Sequence, residues 1–157
     1  MATKQDIVDG IGTVVAEARR VAGILDARSD WETKRDQGWT PREIFSHLAA
    51  TAGMFPAMGP ALLSAPPDTD MTVNTSIAQL NAASIASLSG MSTAQLVEAL
   101  QANYGKTIAW VNGLTDEQMA RQMTFAKLTV SAGDVLENIA VLHANHHLYE
   151  AVMPVAI

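Results

Sequence analysis

Three of the four histidines in this chain lie in one stretch, Val141–Glu150, which reads VLHANHHLYE. On an α-helix, His143 and His147 lie one turn apart on the same face, so they can share one metal ion. His146 follows His143 by three residues, and this spacing also permits shared coordination. The fourth histidine, His47, completes a three-histidine site if its own segment forms a helix that faces this one.

Length and composition restrict the classes of protein that this chain can be. A chain of 157 residues with 48% hydrophobic residues is long enough for one substantial core, so we expect a single domain over residues 1–157. The net charge of −6, without a Lys/Arg cluster, argues against a nucleic-acid partner or an anionic membrane. The chain has no cysteine, so any metal must use nitrogen and oxygen ligands. The segment Met1–Asp9 lacks the apolar core of an export signal, and we expect a soluble cytoplasmic protein.

Helical periodicity predicts the first two helices. Apolar residues recur at helical spacing over residues 7–25. A second helix should begin at Pro41, because Thr40 can cap its first turn and Glu43 can complete a capping box. His47 then lies about two turns inside this helix, on its apolar face.

The middle of the chain contains the main interruptions. Prolines lack the N–H group that continues helical hydrogen bonding, so Pro56 and Pro60 predict a kink or an end near Phe55. A third helix is expected in two pieces, one over residues 77–88 and one over residues 92–114. The long connection therefore lies between the second and third helices.

The last third of the chain should contain one long helix. Thr115–Gln118 is a capping signal for a short helical turn, and Phe125–Val130 is expected to be irregular. Ser131 and Asp134 open the last helix, which carries the three clustered histidines. With no sustained strand pattern, the economical fold is an all-α bundle of four main helices.

The histidines suggest a metal site with open coordination positions. Neutral imidazoles are good ligands for first-row divalent metals, and three of them leave room for water or substrate. Alternatively, His47 is a hydrogen-bonded core residue, and the pair on the last helix lies on an exposed surface. The metal interpretation is favoured because His47 and His143 both occupy inward positions, where an uncompensated imidazole is costly. Spacing alone does not choose between His146 and His147.

Other candidate groups are few. Glu150 can orient a ligand, bind the metal itself, or remain a solvated charge near the helix end. The chain has no G-x-S-x-G, no Gly-rich phosphate loop and no H-E-x-x-H motif. No catalytic residue is therefore expected beyond the metal site, where the metal itself would lower the pKa of a water or a thiol.

Three segments resemble the DinB/YfiT-like superfamily and together cover almost the whole chain. They are Gly38–Ala49 (GWTPREIFSHLA), Leu114–Met119 (LTDEQM) and His143–Leu148 (HANHHL). The family pattern is a tryptophan and a cap before a helix that bears one histidine, followed by an H-x-x-x-H pair on the final helix. His47, His143 and His147 match this pattern, whereas His146 and the two prolines of the second helix are not part of it.

The resemblance implies a fold and a chemistry. It implies a four-helix bundle with up-down-down-up topology and a long connection between helices two and three. It implies a divalent metal, nickel or zinc, bound by His47, His143 and His147, and a homodimer. Relatives include thiol-dependent S-transferases and mycothiol-dependent maleylpyruvate isomerase, so a low-molecular-weight thiol is an expected co-substrate. The family name also suggests a stress response without DNA chemistry.

Two functional hypotheses follow. The first is a metal-dependent enzyme of the thiol S-transferase type that acts on a small molecule, with a metal-dependent hydrolase as its nearest variant. The second is a dimeric bundle that binds a metal or a small ligand without turnover, or a dimeric interaction module whose histidines are vestigial.

Overall fold

A computed structural model describes residues 2–70 and 76–153. Its elements are, in chain order, α1 (Lys4–Arg28), α2 (Pro41–Ser64), α3 (Ile77–Ser87), α4 (Thr93–Gly113), α5 (Asp116–Ala120), β1 (Gln122–Phe125), β2 (Leu128–Ser131), α6 (Ala132–Glu137) and α7 (His143–Val152). A π-helical turn, Asn138–Leu142, joins α6 to α7. The continuous segment 132–152 is called the C-terminal helix below.

The helices α1, α2, α4 and the C-terminal helix form the predicted four-helix bundle. Lys4 donates to the carbonyl of Leu114, and the backbone N–H of Ala2 donates to Asp134, so α1 begins where α4 ends and the C-terminal helix starts. In contrast, α2 and α4 run in the same direction, because residues 49 and 52 of α2 bond residues 103 and 107 of α4 in the same order. The topology is therefore up-down-down-up.

Side-chain caps fix where the helices begin. At α2, the hydroxyl of Thr40 accepts from the N–H of Glu43, whose carboxylate accepts from the N–H of Thr40. The predicted caps at Ser92, Thr115 and Ser131 are also present. These bonds satisfy N–H groups that have no partner within their own helix.

The prediction that α2 ends near Phe55 is wrong, because α2 continues through both prolines to Ser64. Pro56 cannot donate to the carbonyl of Ala52, which lies one turn earlier. That carbonyl instead accepts a bond of 2.6 Å from the buried hydroxyl of Thr107 in α4. A neighbouring helix thus supplies the donor that the proline removes.

The segment expected to be irregular, Phe125–Val130, forms part of a β-hairpin. Strands β1 and β2 pair antiparallel, and the turn between them is Ala126–Lys127. Both turn residues have positive φ angles, 50° and 66°. The N–H of Lys127 donates to the carboxylate of Asp70, which helps to hold this left-handed turn without a glycine.

The two pieces expected to form the third helix are separate helices. Only α4 belongs to the bundle, whereas α3 lies inside the long connection and packs on α2. No residue of α3 is buried, and Ile77 and Leu80 are 56% and 54% exposed. The apolar positions of this segment therefore predicted the helix correctly but not its environment.

The C-terminal helix is not a regular α-helix throughout. In its π-helical turn, the N–H of His143 bonds the carbonyl of Asn138, five residues back. Within this turn, the carbonyl of Ala140 accepts a bond of 2.9 Å from the hydroxyl of Tyr104 in α4. Such turns are rare and often occur at functional sites.

One hydrophobic core joins the four bundle helices. Its fully buried members of largest volume include Ile7, Leu25, Phe45, Leu100 and Leu148. Among residues 2–70 and 76–153, no helix combines the length and the apolar character required to cross a bilayer.

Candidate metal centre

His47 projects into the bundle from the second turn of α2. Its side chain is buried, with only 4% of the residue exposed. The capping box at Thr40 and Glu43 fixes the start of this helix, and Ile44 and Leu48 bury the same face. The sequence prediction of an inward histidine on α2 therefore holds.

His143 and His147 face His47 from α7. The Nε2 atom of His143 lies 3.1 Å from the Nε2 atom of His147 and 3.5 Å from the Nε2 atom of His47. Candidate ligand atoms of the three rings all lie within 4.8 Å of one another. In a tetrahedral zinc site with metal–nitrogen bonds of 2.0–2.1 Å, two ligand nitrogens are separated by about 3.3 Å. These two separations, 3.1 and 3.5 Å, bracket this value.

The outer nitrogens of two rings have acceptors that fix their tautomers. Nδ1 of His147 lies 2.8 Å from a carboxylate oxygen of Glu150, so this nitrogen carries the proton and donates it. The hydroxyl of Ser84 donates to the carbonyl of Asn81, so its oxygen can accept from Nδ1 of His47 at 3.4 Å. Both rings then direct the unprotonated Nε2 atom, with its lone pair, into the centre.

His143 has a different environment. Its Nδ1 atom is buried and makes no well-aligned hydrogen bond with any residue of the described segments. The backbone of Ile139, one turn earlier, is close enough to favour the protonated ring to a small extent. The orientation of this ring therefore depends mainly on its backbone position.

Burial keeps two of the rings neutral. Desolvation, followed by the neighbouring rings of His143 and His147, lowers the pKa of His47 to about 4. Desolvation, followed by the rings of His147 and His146, lowers the pKa of His143 to about 4. Neutral imidazole is the form that binds metals. Nε2 atoms from three imidazoles that lie this close together are the kind of donor set that first-row divalent metals prefer, so these residues fit a divalent metal.

The family follows from the sequence match. The sequence model that describes the DinB superfamily matches residues 16–151, which is most of the chain. The chain belongs to the DinB superfamily. No curated protein matches the sequence.

Two solved structures resemble this DinB protein. One is YfiT from Bacillus subtilis, which is described as a probable metal-dependent hydrolase with an unusual four-helix bundle topology. Its TM-score is 0.67, and it is 20% identical over 94% of this chain and 83% of that chain. The other is a mutant of the mycothiol-dependent maleylpyruvate isomerase, with a TM-score of 0.71 and 13% identity over 98% of this chain and 62% of that chain. The TM-scores show that the fold is shared, and at these identities the likeness shows the fold alone.

Glu150 and His146 lie outside the nitrogen cluster of this DinB protein. Glu150 contacts His147 with one oxygen, while its other oxygen accepts from Gln37 and lies 2.8 Å from Nε2 of His146. The side chain of His146 is 61% exposed. The structure therefore places Glu150 behind a candidate ligand and His146 on the surface, a distinction that spacing did not make.

Sequence reasoning missed the contribution of Arg35. Its buried guanidinium donates to the carbonyl of Ala151 at the end of α7 and to the carboxylate of Asp30. The hydrogen bond from Arg35 holds the pKa of Asp30 below its usual value. These bonds fasten the connection between α1 and α2 to the C-terminal helix, and the N–H of Arg35 also bonds the carbonyl of Trp39.

Trp39 covers one side of the centre in this DinB protein. Its ring centroid lies 5.2 Å from that of His47 and 5.5 Å from that of His147. The indole therefore packs against ligand candidates from two different helices and shields them from water. The sequence located Trp39 before the cap of α2, but no pattern indicated this contact.

Proposed function

We propose that this DinB protein is a metal-dependent enzyme of the thiol S-transferase type. In this proposal, His47, His143 and His147 hold a divalent ion, nickel or zinc, and no other residue is catalytic. The observation that carries the proposal is the convergence of the Nε2 atoms in one buried cluster, at separations of 3.1 and 3.5 Å. A hydrogen-bonded core histidine does not need two further imidazoles around it.

The chain supplies binding and orientation rather than an acid or base. When bound, a divalent ion lowers the pKa of a thiol or a water molecule, so that a nucleophile forms at neutral pH. Three neutral ligands leave the charge of the ion uncompensated, which favours a co-substrate that can become an anion. Glu150 holds the ring of His147 and makes it a stronger donor, while Trp39 excludes water from one side.

Thiol and water are competing nucleophiles in this proposal. Membership of the DinB superfamily and the fold shared with a mycothiol-dependent isomerase support a low-molecular-weight thiol. The fold shared with YfiT, which is described as a probable metal-dependent hydrolase, supports water as the alternative. In both cases we propose a small-molecule substrate for a cytoplasmic homodimer with a role in stress response.

Metal binding is the first test. We expect the purified protein to bind one equivalent of Ni²⁺ or Zn²⁺, and we expect His47→Ala and His143→Ala to weaken this binding by at least about 100-fold. His146→Ala is the matched control, because its exposed ring lies outside the cluster, and it should retain binding. Competition titration against a chromophoric chelator gives the affinities. Wild-type protein that stays metal-free in Ni²⁺, Zn²⁺ and Mn²⁺ contradicts the proposal.

Turnover is the second test. Metal-loaded protein is incubated with an electrophile, with and without a low-molecular-weight thiol, and with an ester. Thiol-dependent loss of the electrophile supports the transferase, whereas ester cleavage without thiol supports the hydrolase. Tight metal binding without either reaction supports the second hypothesis, a bundle that binds metal without turnover.

A further inference from the structure

Tyr104 connects the metal centre to a helix that bears none of the four histidines. Its side chain lies in α4 and is almost completely buried, with 1% of the residue exposed. Its hydroxyl donates to the carbonyl of Ala140, at 2.9 Å, inside the π-helical turn that precedes His143. Burial raises the pKa of this hydroxyl, so it remains a protonated donor.

The π-helical turn determines which face of α7 points at His47. A π-turn accommodates one more residue than an α-turn. In a regular α-helix, one residue corresponds to a rotation of about 100° and a rise of about 1.5 Å. If this turn became α-helical, His143 and His147 would therefore rotate by about 100° relative to α6. Such a rotation would remove their Nε2 atoms from His47.

The segment before the turn is fixed, so α6 cannot rotate to compensate. The hydroxyl of Ser131 caps α6, and a side chain on Gly133 would lie only 2.9 Å from the backbone oxygen of Ala2. Within the turn, Val141 packs so closely on α1 that a side chain on Gly10 would lie 2.8 Å from it. The extra residue must be absorbed between Asn138 and Leu142.

We propose that Tyr104 is a positioning residue for the metal centre, whose hydroxyl holds the π-helical turn that directs His143 and His147 toward His47. Hydrogen bonding to Ala140 stabilises the rarer turn against the regular helix. Loss of the hydroxyl shifts the population toward the α-helical turn, in which the ligands face away. This inference rests on the proposed metal site but not on the reaction.

The test compares two variants that each remove one buried hydroxyl from α4. Tyr104→Phe removes the bond to Ala140, and Thr107→Val removes the bond to Ala52, which lies beyond His47 on α2. We expect Tyr104→Phe to weaken Co²⁺ and Zn²⁺ binding by about tenfold or more and to change the visible spectrum of the Co²⁺ complex. Thr107→Val should lower the unfolding midpoint but leave both metal affinities within about twofold of wild type.

A compensating deletion separates positioning from general destabilisation. Asn138 is exposed, and its deletion removes the extra residue, so a regular α-helix then places His143 and His147 on the correct face. We expect this deletion to restore metal affinity in the Tyr104→Phe background to within about threefold of wild type. Circular dichroism verifies that each variant is folded. If Tyr104→Phe alone does not fold, the doubly altered protein is measured by itself, and its failure to bind metal overturns the inference.

The results that would overturn this inference differ from the results that would overturn the proposed function. Wild-type affinity in folded Tyr104→Phe, equal losses in both hydroxyl variants, or no recovery on deletion overturns the positioning role while the metal site stands. If the wild type binds no metal, the proposed function fails. The role of Tyr104 is then read from imidazole ¹H–¹⁵N spectra of the metal-free protein. Tyr104→Phe should shift the signals of His143 while Thr107→Val does not, and unshifted signals overturn the inference.

Discussion

On one side of the candidate metal centre a carboxylate holds Nδ1 of His147, and on the other side a serine hydroxyl lies near Nδ1 of His47. The contact between His147 and Glu150 measures 2.8 Å, and Gln37 and His146 hold the same carboxylate. The contact between His47 and Ser84 measures 3.4 Å, which is near the limit for a hydrogen bond.

The helices that carry Glu150 and Ser84 also differ in how firmly the fold holds them. Glu150 extends from the C-terminal helix, which packs in the bundle core and is fastened by Arg35. Ser84 extends from α3, which buries no residue. The orientation of the candidate ligands on α7 is therefore built into the bundle, whereas the contact behind His47 depends on a helix that buries none of its residues. Changes on the α7 side should therefore cost more.

The largest expected effect is a loss of folding stability as pH falls, and it involves histidines on both sides of the centre. His47 and His143 have pKa values lowered to about 4 in the folded protein, against 6.5 for the free side chain. The unfolded chain therefore binds more protons than the folded chain between these values, and stability is lost as pH falls from about 6.5 toward 4. A shift of one unit corresponds to about 1.4 kcal/mol, and discounting for partial exposure leaves about 3 kcal/mol for the pair.

Urea unfolding of the metal-free protein at a series of pH values measures this loss. The window between pH 6.5 and 5 is informative because the pKa of Asp30 is lowered from 3.8, so this carboxyl contributes only at lower pH. The double variant His47→Gln/His143→Gln should lose most of the pH dependence in this window. An unfolding midpoint of the wild type that stays constant between pH 6.5 and 5 would show that the rings are not buried as described.

The next effect is specific to the α7 side. Glu150→Gln keeps the shape of the side chain but removes the charge that holds Nδ1–H of His147. We expect metal affinity to fall by about 10- to 100-fold, the range for loss of a hydrogen-bonding partner behind a ligand. Glu98→Gln makes the same charge change at an exposed position of α4 and should have no effect. Equal metal affinities of the two variants would show that Glu150 does not support the metal site.

The smallest effect is expected on the α3 side. Ser84→Ala removes the hydroxyl behind His47, whose contact is already long. We expect metal affinity to change by no more than about threefold, because a bond at this distance contributes little. Isothermal titration with Zn²⁺ gives the comparison with Glu150→Gln. A loss as large as that of the carboxylate variant would show that both sides hold their ligands equally firmly.

The features that the sequence predicted correctly have local causes. A capping box needs only Thr40 and Glu43, three residues apart, and helical periodicity placed His47 on the buried face. The spacing of His143 and His147 likewise depends only on the helix that contains them. These patterns, with the family resemblance, were enough to predict the bundle and the three candidate ligands. The assignment of those ligands to a bound ion stays a prediction.

The features that sequence reasoning missed depend on contacts between distant segments. Pro56 looked like a helix breaker because nothing near it in sequence reveals that Thr107 supplies a donor. The hairpin was missed because Ala126 and Lys127 are not typical of a turn with positive φ angles. No residue pattern indicates a π-helical turn, and its partner, Tyr104, lies in another helix.

Because Trp39 lies beside the histidines, its fluorescence can report whether the centre holds a metal ion. Its indole lies 5.2 and 5.5 Å from two candidate ligand rings, whereas Trp31 packs on Phe45 and Trp110 packs against Gly59. A paramagnetic ion held by the histidines quenches the fluorescence of the nearest indole most strongly. Emission from one of the three tryptophans therefore reports occupancy of the centre in solution, without any label.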